Sequence, residues 1–417
     1  MLNSKQEREL AYVVIIDEIE PIPGYDRVET AIVGGWHVIV QKGQFQIGDP
    51  AIYFEIDSKV PSNKECFAFL EKRNYKIKTL KMCKTISQGL LMHAEDFGWE
   101  IIFDGTKTPY IYDGEKAHYA DDESRFLTKI LSVTYADAED NQRKAPSMDK
   151  YKKMAQRHPA IFRKPFVRWL MKRTWGKKLM FLFFGKKKDV PKGFPTCFPY
   201  VKKTDQERCE NMPFVLKDKT PFIRTQKCDG SSGTFILAKT GKKHNPYEFY
   251  VCSRNVRMLK PDQECFYGSD NYYWEVAIKY DIETKLKDYL EKHPELEYVC
   301  WQGEICAPKI QANAHHLKET HLYLFHMIDS KKGFYDIREA KKIWENYNME
   351  HVPIDEELYI LPDDFEEFKL SAEGYYDPSV CEGNTKVDRE GYVYYKSDDP
   401  NFSFKNVSRK YLLKHNN

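Results

Sequence analysis

Lys227 stands two residues before an Asp-Gly pair, in the string Thr-Gln-Lys-Cys-Asp-Gly, and is the first candidate for covalent chemistry. A lysine nucleophile must lose a proton before it can attack. The free pKa of lysine is about 10.4, so deprotonation at pH 7 costs roughly 4.6 kcal/mol. Burial or a nearby positive charge, usually a metal ion, must therefore lower that pKa. The short string is weak evidence alone.

Four later positions carry charged side chains that suit phosphate and metal chemistry. In chain order they are Arg254 in Ser-Arg-Asn, Glu304 in Trp-Gln-Gly-Glu, Glu390 in Arg-Glu-Gly-Tyr-Val and Lys405 in Ser-Phe-Lys. A guanidinium group binds phosphate oxygens in a bidentate manner. All of these motifs in this chain order occur by chance much less often than any one of them alone. The series predicts one active site in the second half of the chain.

The elements that must position these residues alternate between helix and strand from residue 204 to the end. Residues 273–292 have apolar positions at helical spacing, and residues 322–328 and 391–396 predict buried strands. This pattern predicts an α+β catalytic body.

The first hundred residues predict closely spaced short strands, among them 10–16, 36–40, 51–56 and 76–82. Such spacing suits a small barrel of the OB type, although a β-sandwich fits the pattern equally well. The separate strand pattern and the lysine-rich strand 76–82 predict that removal of this part spares the covalent step at Lys227 but weakens the action on polynucleotides.

A strongly basic stretch separates the two parts. The chain has a net charge of +2, but residues 151–203 hold sixteen Lys or Arg and one acid, Asp189. Trp and Phe are interleaved with these cations, so the stretch could hold phosphates while bases stack on its rings. The alternatives are a helical connector and, less favoured, contact with an anionic membrane surface.

Several classes of protein are disfavoured by composition. No run of 18 apolar residues predicts a membrane span, and the N-terminus lacks an apolar signal core. The ten cysteines form no C-x-x-C pair, which argues against a zinc ribbon and indicates reduced thiols in a cytoplasmic protein. His315, His316 and His321 have no ligand spacing, so capping or core use is expected.

Taken in order, the motifs resemble those of the covalent lysyl-nucleotidyltransferases, and most closely ATP-dependent RNA ligases with an N-terminal OB domain. Residues 17–61 resemble the OB domain of that family, and residues 203–208 resemble its segment just upstream of the nucleophile. It implies an α+β protein with an OB-type β-barrel and connector in residues 1–140. A basic helical insert or linker in 141–203 and a nucleotidyltransferase domain in 204–417 would follow.

The resemblance also implies roles for individual residues. Lys227 would attack the α-phosphorus of ATP and hold AMP, and Asp229, Glu390 and Lys405 would assist catalysis. Phe325 would stack on adenine, with Tyr323 as the alternative ring. The implied nucleotide contacts are Lys227, Gly230, Arg208, Arg254, Glu304, Phe325, Glu390 and Lys405. The implied holders of Mg²⁺ or Mn²⁺, through water, are Asp229, Glu304 and Glu390.

Two positions depart from the family pattern. Val407 stands where a second lysine is common, so Lys410 is considered as a substitute phosphate contact. Gln226 stands before Lys227 where an acid is common.

The function implied is joining of a 5′-phosphate RNA end to a 3′-hydroxyl end in RNA repair. The expected protein is a cytoplasmic monomer that acts on RNA ends or an RNA/DNA nicked duplex, with no membrane partner. A DNA ligase or an mRNA capping enzyme is the first alternative, but only twelve residues follow Lys405, too few for the further domain those enzymes carry there. A non-catalytic nucleic-acid-binding protein is the second.

Overall fold

The computed structural model describes residues 1–3, 7–102, 110–112, 117–118, 126–136, 159–162, 164–184, 201, 205–254, 257–258 and 272–415. The predicted domain boundaries near residues 140 and 203 lie outside these ranges.

The N-terminal part consists of short strands that pair in antiparallel order. They are β1 (Ala11–Ile15), β2 (Glu18–Pro21), β3 (Val28–Val33), β4 (Trp36–Gln41), β5 (Pro50–Phe54), β6 (Ser58–Lys59), β7 (Lys76–Ile77), β8 (Thr79–Met82), β9 (Thr85–Gln88), β10 (Leu90–Met92), β11 (Glu100–Ile102), β12 (Tyr110–Tyr112), β13 (Ala117–His118) and β14 (Thr134–Tyr135). The sheets are ordered β1-β5-β10, β2-β3-β4, β8-β9, β11-β12-β13 and β14-β6-β7. In β4 the alternate residues Trp36, Val38 and Val40 are buried, as the two-residue period of a strand requires.

A small helical segment follows, formed by α1 (Pro159–Phe162), α2 (Pro165–Met171) and α3 (Thr174–Phe184). Pro165 begins α2, where its fixed φ and missing N–H carry no cost. The buried side chains of the segment pack on one another and form a core of their own: Phe162, Val167, Leu170, Met171 and Met180.

The C-terminal part contains two five-stranded sheets, ordered β15-β24-β23-β16-β22 and β18-β17-β19-β20-β21. Their strands are β15 (Glu207–Arg208), β16 (Phe222–Gln226), β17 (Ser231–Lys242), β18 (Asn245–Ser253), β19 (Tyr298–Cys306), β20 (His321–Asp329), β21 (Gly333–Phe334), β22 (Ile354–Tyr359), β23 (Gly391–Lys396) and β24 (Asp399–Val407). The helices are α4 (Tyr272–Lys279), α5 (Ile282–Lys292), α6 (Ile337–Asn346), α7 (Phe365–Leu370) and α8 (Arg409–His415).

The expected α+β class and the strands at 322–328 and 391–396 are confirmed. The single helix predicted over residues 273–292 is wrong in one respect. Asp281 has a φ of 47°, in the left-handed region, and this residue divides the segment into α4 and α5. The predicted strand 76–82 is likewise divided into β7 and β8.

The N-terminal and C-terminal parts are joined by a tight contact. Gly35 N donates to the carbonyl oxygen of Glu210 at 2.7 Å, and Trp36 Nε1 donates to Asn211 Oδ1 at 2.7 Å. A Cβ on Gly35 would lie 2.8 Å from the Cα of Glu210, so only glycine permits this approach. Val407 and Leu412 of the C-terminal part are buried in the same apolar cluster as Trp36.

This shared core argues against the expectation that removal of the barrel spares the covalent step at Lys227. We expect deletion of residues 1–140 to expose Val407 and Leu412 and to leave the chain aggregated and unable to transfer a nucleotide to Lys227. Size-exclusion chromatography followed by labelling with ATP would measure this. A monomeric truncated protein that labels as well as the full chain would contradict it.

Candidate active site

A cavity of about 380 Å³ lies at the junction of the two C-terminal sheets. It is lined by side chains from several strands that are distant in sequence, among them Lys227, Gly230, Arg254, Glu304, Phe325 and Lys405. Each of these six residues is a site residue predicted from the sequence. Of the other predicted site residues, Glu390 contacts Lys227, Arg208 is the strand partner of Lys405, and the charge of Asp229 acts on Lys227.

Lys227 follows the end of β16, and its backbone is fixed on both sides. Its N–H donates to the carbonyl oxygen of Gly391 at 3.0 Å, and Tyr376 Oη donates to its carbonyl oxygen at 2.9 Å. Its Nζ donates to Glu390 Oε2 at 2.7 Å. The pairing of β16 with β23 thus brings the predicted nucleophile and a predicted acid into direct contact.

The charges around Lys227 oppose its deprotonation. Burial alone lowers the pKa of Lys227, but Glu390, Glu304 and Asp229 raise it by more, and the net direction is upward. Desolvation raises the pKa of Glu304 to about 8, and it also raises the pKa of Glu390. Burial acts in the expected direction, but the neighbouring carboxyl groups outweigh it and keep this lysine protonated. Added positive charge is needed to reverse that balance.

Asp229 is held by two residues that sequence reasoning did not assign to the site. Its backbone N–H donates to His315 Nε2 at 3.0 Å, and His315 Nδ1 lies 3.0 Å from the carbonyl oxygen of Val380. Tyr411 Oη donates to Asp229 Oδ2 at 2.7 Å. Burial lowers the pKa of His315 to about 4, so the ring is neutral at pH 7 and can accept the Asp229 hydrogen bond. The expected core role of His315 is confirmed.

Tyr411 was missed because nothing near it in sequence connects α8 with Asp229. We expect Tyr411→Phe to slow covalent nucleotide transfer about tenfold while folding is retained, because a hydrogen bond to a charged group contributes about 1.5–3 kcal/mol. Tyr347→Phe is the matched control, since its hydroxyl donates to Asp288 at 2.6 Å on another helix. Equal rates for Tyr411→Phe and wild type would show that Asp229 needs no support from α8.

Two predicted phosphate-binding cations share one carboxylate. Lys405 Nζ lies 3.3 Å from Asp205 Oδ1, and Arg254 Nη2 pairs with the other oxygen of Asp205. Although burial raises the pKa of Asp205, the two cations lower it well below its usual range. Burial lowers the pKa of Lys405 to about 8. The carboxylate of Asp205 thus lies between two cations at the cavity wall.

Arg208 lies beside Lys405 because β15 pairs in parallel with β24. Its Nη2 donates to Asp57 Oδ2 of the N-terminal part at 3.0 Å. Its Nε and Nη1 are buried without a hydrogen-bond partner among the described residues. This guanidinium therefore retains donors that an anion could satisfy.

Phe325, rather than Tyr323, is the ring that lines the cavity. Tyr323 is buried in the apolar core, whereas Phe325 stands with Val352 and Val393 at an apolar end of the cavity. Gly230 is required for packing, because a Cβ there would lie 2.4 Å from the carbonyl oxygen of Ile305.

The two departures from the family pattern have structural reasons. Val407 is buried in the core shared with the N-terminal part, where a lysine would be costly. Lys410 pairs with Asp388 at 3.0 Å and is not among the residues that line the cavity. Gln226 donates to Asp355 Oδ1 at 2.8 Å and accepts from Asp377 N at 2.8 Å, which requires an amide rather than an acid.

The acids of the site fit a hard divalent cation bound mainly through water. Among the described residues, no group of three or more His, Cys, Asp or Glu side chains is arranged to hold a metal ion directly. Asp229, Glu304 and Glu390 nevertheless bring three carboxyl groups close to Lys227, and carboxylate oxygens suit Mg²⁺ and Mn²⁺.

Comparison with known proteins agrees with this architecture. Residues 10–94 match the PHA02142 OB-fold domain, and residues 220–412 match the RNA ligase family. No curated protein matches the chain. Among solved structures, the Naegleria gruberi RNA ligase with PPi is 24% identical with a TM-score of 0.66, over 98% of this chain and 99% of that chain. An alanine mutant of that ligase with ATP and Mn is 24% identical with a TM-score of 0.67, over 98% and 100%.

Proposed function

We propose that the protein joins a 5′-phosphate RNA end to a 3′-hydroxyl end with ATP, because residues 220–412 match the RNA ligase family. The observation that carries the proposal is the cavity lined by Lys227, by the two cations Arg254 and Lys405, and by the ring of Phe325. The structurally similar Naegleria gruberi ligase has been determined with ATP, AMP and Mn, which supports the same nucleotide and metal here.

In the first step, Lys227 Nζ attacks the α-phosphorus of ATP. A P–N bond forms, the bond from the α-phosphorus to the bridging oxygen breaks, and pyrophosphate leaves. Lys405 and Arg254 would neutralise the phosphate charge that develops, after release of Asp205. Mg²⁺ or Mn²⁺, held through water by Asp229, Glu304 and Glu390, would supply positive charge to the α-phosphate and the lysine.

The next steps move AMP and then release it. An oxygen of the RNA 5′-phosphate attacks the phosphorus of lysyl-AMP, the P–N bond breaks, and Lys227 recovers its amine. The 3′-hydroxyl of the other end then attacks the 5′-phosphorus, which forms the phosphodiester and releases AMP. Phe325 would hold the adenine of AMP throughout by stacking.

The setting of this reaction is also a proposal. The proposed role is the repair of broken RNA. The protein would act as a cytoplasmic monomer on RNA ends or on a nicked RNA/DNA duplex. Among the described residues, no helix has the length and apolar character needed to cross a membrane.

Incubation with α-labelled ATP and Mn²⁺ or Mg²⁺ tests the first step, and sealing of a 5′-labelled RNA tests the rest. We expect a covalently labelled protein whose label is lost on addition of 5′-phosphate RNA. Labelling by GTP with transfer to a 5′-diphosphate end would indicate capping instead. Sealing of all-DNA nicks without any RNA sealing would indicate a DNA ligase.

A further inference from the structure

The helical segment α1–α3 exposes three aromatic rings that contact one another. Phe166 and Trp169 of α2 stack with centroids 5.9 Å apart, and Trp175 of α3 meets Trp169 edge to face at 6.4 Å. Their exposed fractions are 66%, 47% and 55%. The segment has a buried core of its own that does not include them. Phe166, Trp169 and Trp175 therefore form a surface, which we call the aromatic ledge.

Cations stand among these rings. The guanidinium of Arg173 lies 3.6 Å from the centre of the Trp169 ring. Lys164, Lys172 and Lys178 are exposed in the same segment, and residues 151–188 contain no Asp or Glu. A surface that combines flat apolar rings with uncompensated positive charge complements a polyanion that carries flat bases.

We propose that the aromatic ledge binds single-stranded RNA, with bases stacked on the rings and phosphates held by the neighbouring cations. This inference rests on the proposed function and extends RNA binding beyond the cavity. Single-stranded RNA is favoured over duplex because bases already stacked in a helix cannot also stack on protein rings.

An anionic membrane surface fits less well. A helix that lies in a membrane interface keeps its cations on the face opposite its apolar residues. Here Arg173 lies directly against the Trp169 ring, so charge and rings share one surface. Leu182 and Phe183, which are also exposed at the end of α3, supply a separate apolar pair for the control.

The test measures the affinity for a short single-stranded RNA with a 5′-phosphate by fluorescence anisotropy at several salt concentrations. We expect Trp169→Ala with Trp175→Ala to weaken binding about 30-fold or more. Neutralising Lys172, Arg173 and Lys178 with glutamine should lower the slope of log K against log salt by about 2. The control variant carries Leu182→Ser and Phe183→Ser, which replace two exposed apolar residues outside the aromatic ledge. Its RNA affinity should be unchanged.

Two results would overturn the inference. One is RNA binding by the tryptophan variant within twofold of wild type. The other is a combination of two observations. Phosphatidylserine vesicles bind the wild-type protein but not the Leu182→Ser, Phe183→Ser variant, and the tryptophan substitutions leave RNA affinity unchanged.

Labelling by α-labelled ATP separates this inference from the proposed function, because the ledge is not part of the cavity. We expect all variants to label as wild type does, which also shows that they fold. A wild-type protein that never labels refutes the proposed function. If the protein labels but the tryptophan substitutions leave its RNA affinity unchanged, only the proposal for the aromatic ledge is refuted.

Discussion

Replacing Lys227 with alanine is expected to abolish covalent labelling by α-labelled ATP, down to background. The P–N bond can form only at a primary amine that faces the α-phosphorus, and Lys227 Nζ is the amine in contact with Glu390 at the cavity wall. Lys227→Arg should fail equally, because a guanidinium keeps its proton at any working pH and cannot act as the nucleophile. Electrophoresis of the labelled protein measures both.

Lys292→Ala is the matched control for this prediction. Lys292 also forms an ion pair with a carboxylate, Asp288, but on the exposed surface of α5. We expect this variant to label at the wild-type rate. Persistent labelling of the Lys227→Ala protein would place the nucleophile on another lysine and would remove the basis for the proposed function.

Sequence reasoning predicted the residues of the cavity better than the contacts that support them. Lys227, Glu304 and Lys405 could be found because each stands in a short motif with a recognisable order. Tyr411 and His315 could not, because their partner Asp229 is distant along the chain and only the folded sheets bring them together. Long-range hydrogen bonds leave no local pattern in a sequence.

The relation between the two parts of the chain was also hidden from the sequence. The strand pattern of the first hundred residues left an OB-type barrel and a β-sandwich open, the family resemblance implied the OB type, and the match of residues 10–94 to an OB-fold domain confirms it. The same pattern gives no sign that Leu412, near the other end, completes the core of that fold. Hydrophobic periodicity in a sequence indicates that a buried core exists. It does not indicate which core a single apolar residue enters.

The acid–base balance of the site shows a third limit. The sequence indicates that burial or a nearby positive charge must lower the pKa of Lys227, but the sign of the net effect depends on distances. Three carboxylates near Lys227 outweigh burial and raise its pKa. Only coordinates could reveal that the acids proposed to hold a cation would also hinder deprotonation of Lys227 until that cation binds.

The second large effect is expected at a buried ion pair remote from the chemistry. Lys369 Nζ lies 2.7 Å from Glu210 Oε1, and both side chains are fully buried, with 0% exposure. Lys369 also donates to Asn406 Oδ1 and to the carbonyl oxygen of Val407. Glu210 in turn supplies the backbone oxygen that accepts from Gly35. The pair thus secures the joint between the N-terminal part and β24.

Lys369→Met should lower the free energy of unfolding by about 3–5 kcal/mol, because it leaves the Glu210 carboxylate buried without its cation. Urea unfolding followed by tryptophan fluorescence measures the loss. Lys292→Met, which removes the cation of an exposed pair, should leave the free energy of unfolding nearly unchanged. Adding Glu210→Gln to Lys369→Met should recover part of the loss, since no charge then remains buried.

The pH dependence of the same variant follows from the direction of the Glu210 shift. In the wild type, burial raises the pKa of Glu210, but Lys369 and Arg208 lower it by more, so the pKa lies below its usual range. The ion pair therefore stabilises the protein at pH values above the pKa of the unfolded state, and this stabilisation is lost as the pH falls. Without Lys369, burial should raise the pKa instead, and protonation should relieve the penalty as the pH is lowered towards 5. The difference in stability between wild type and Lys369→Met should therefore shrink from pH 7 to pH 5. A difference that stays constant would mean that the lost contacts, and not the unpaired charge, cause the destabilisation.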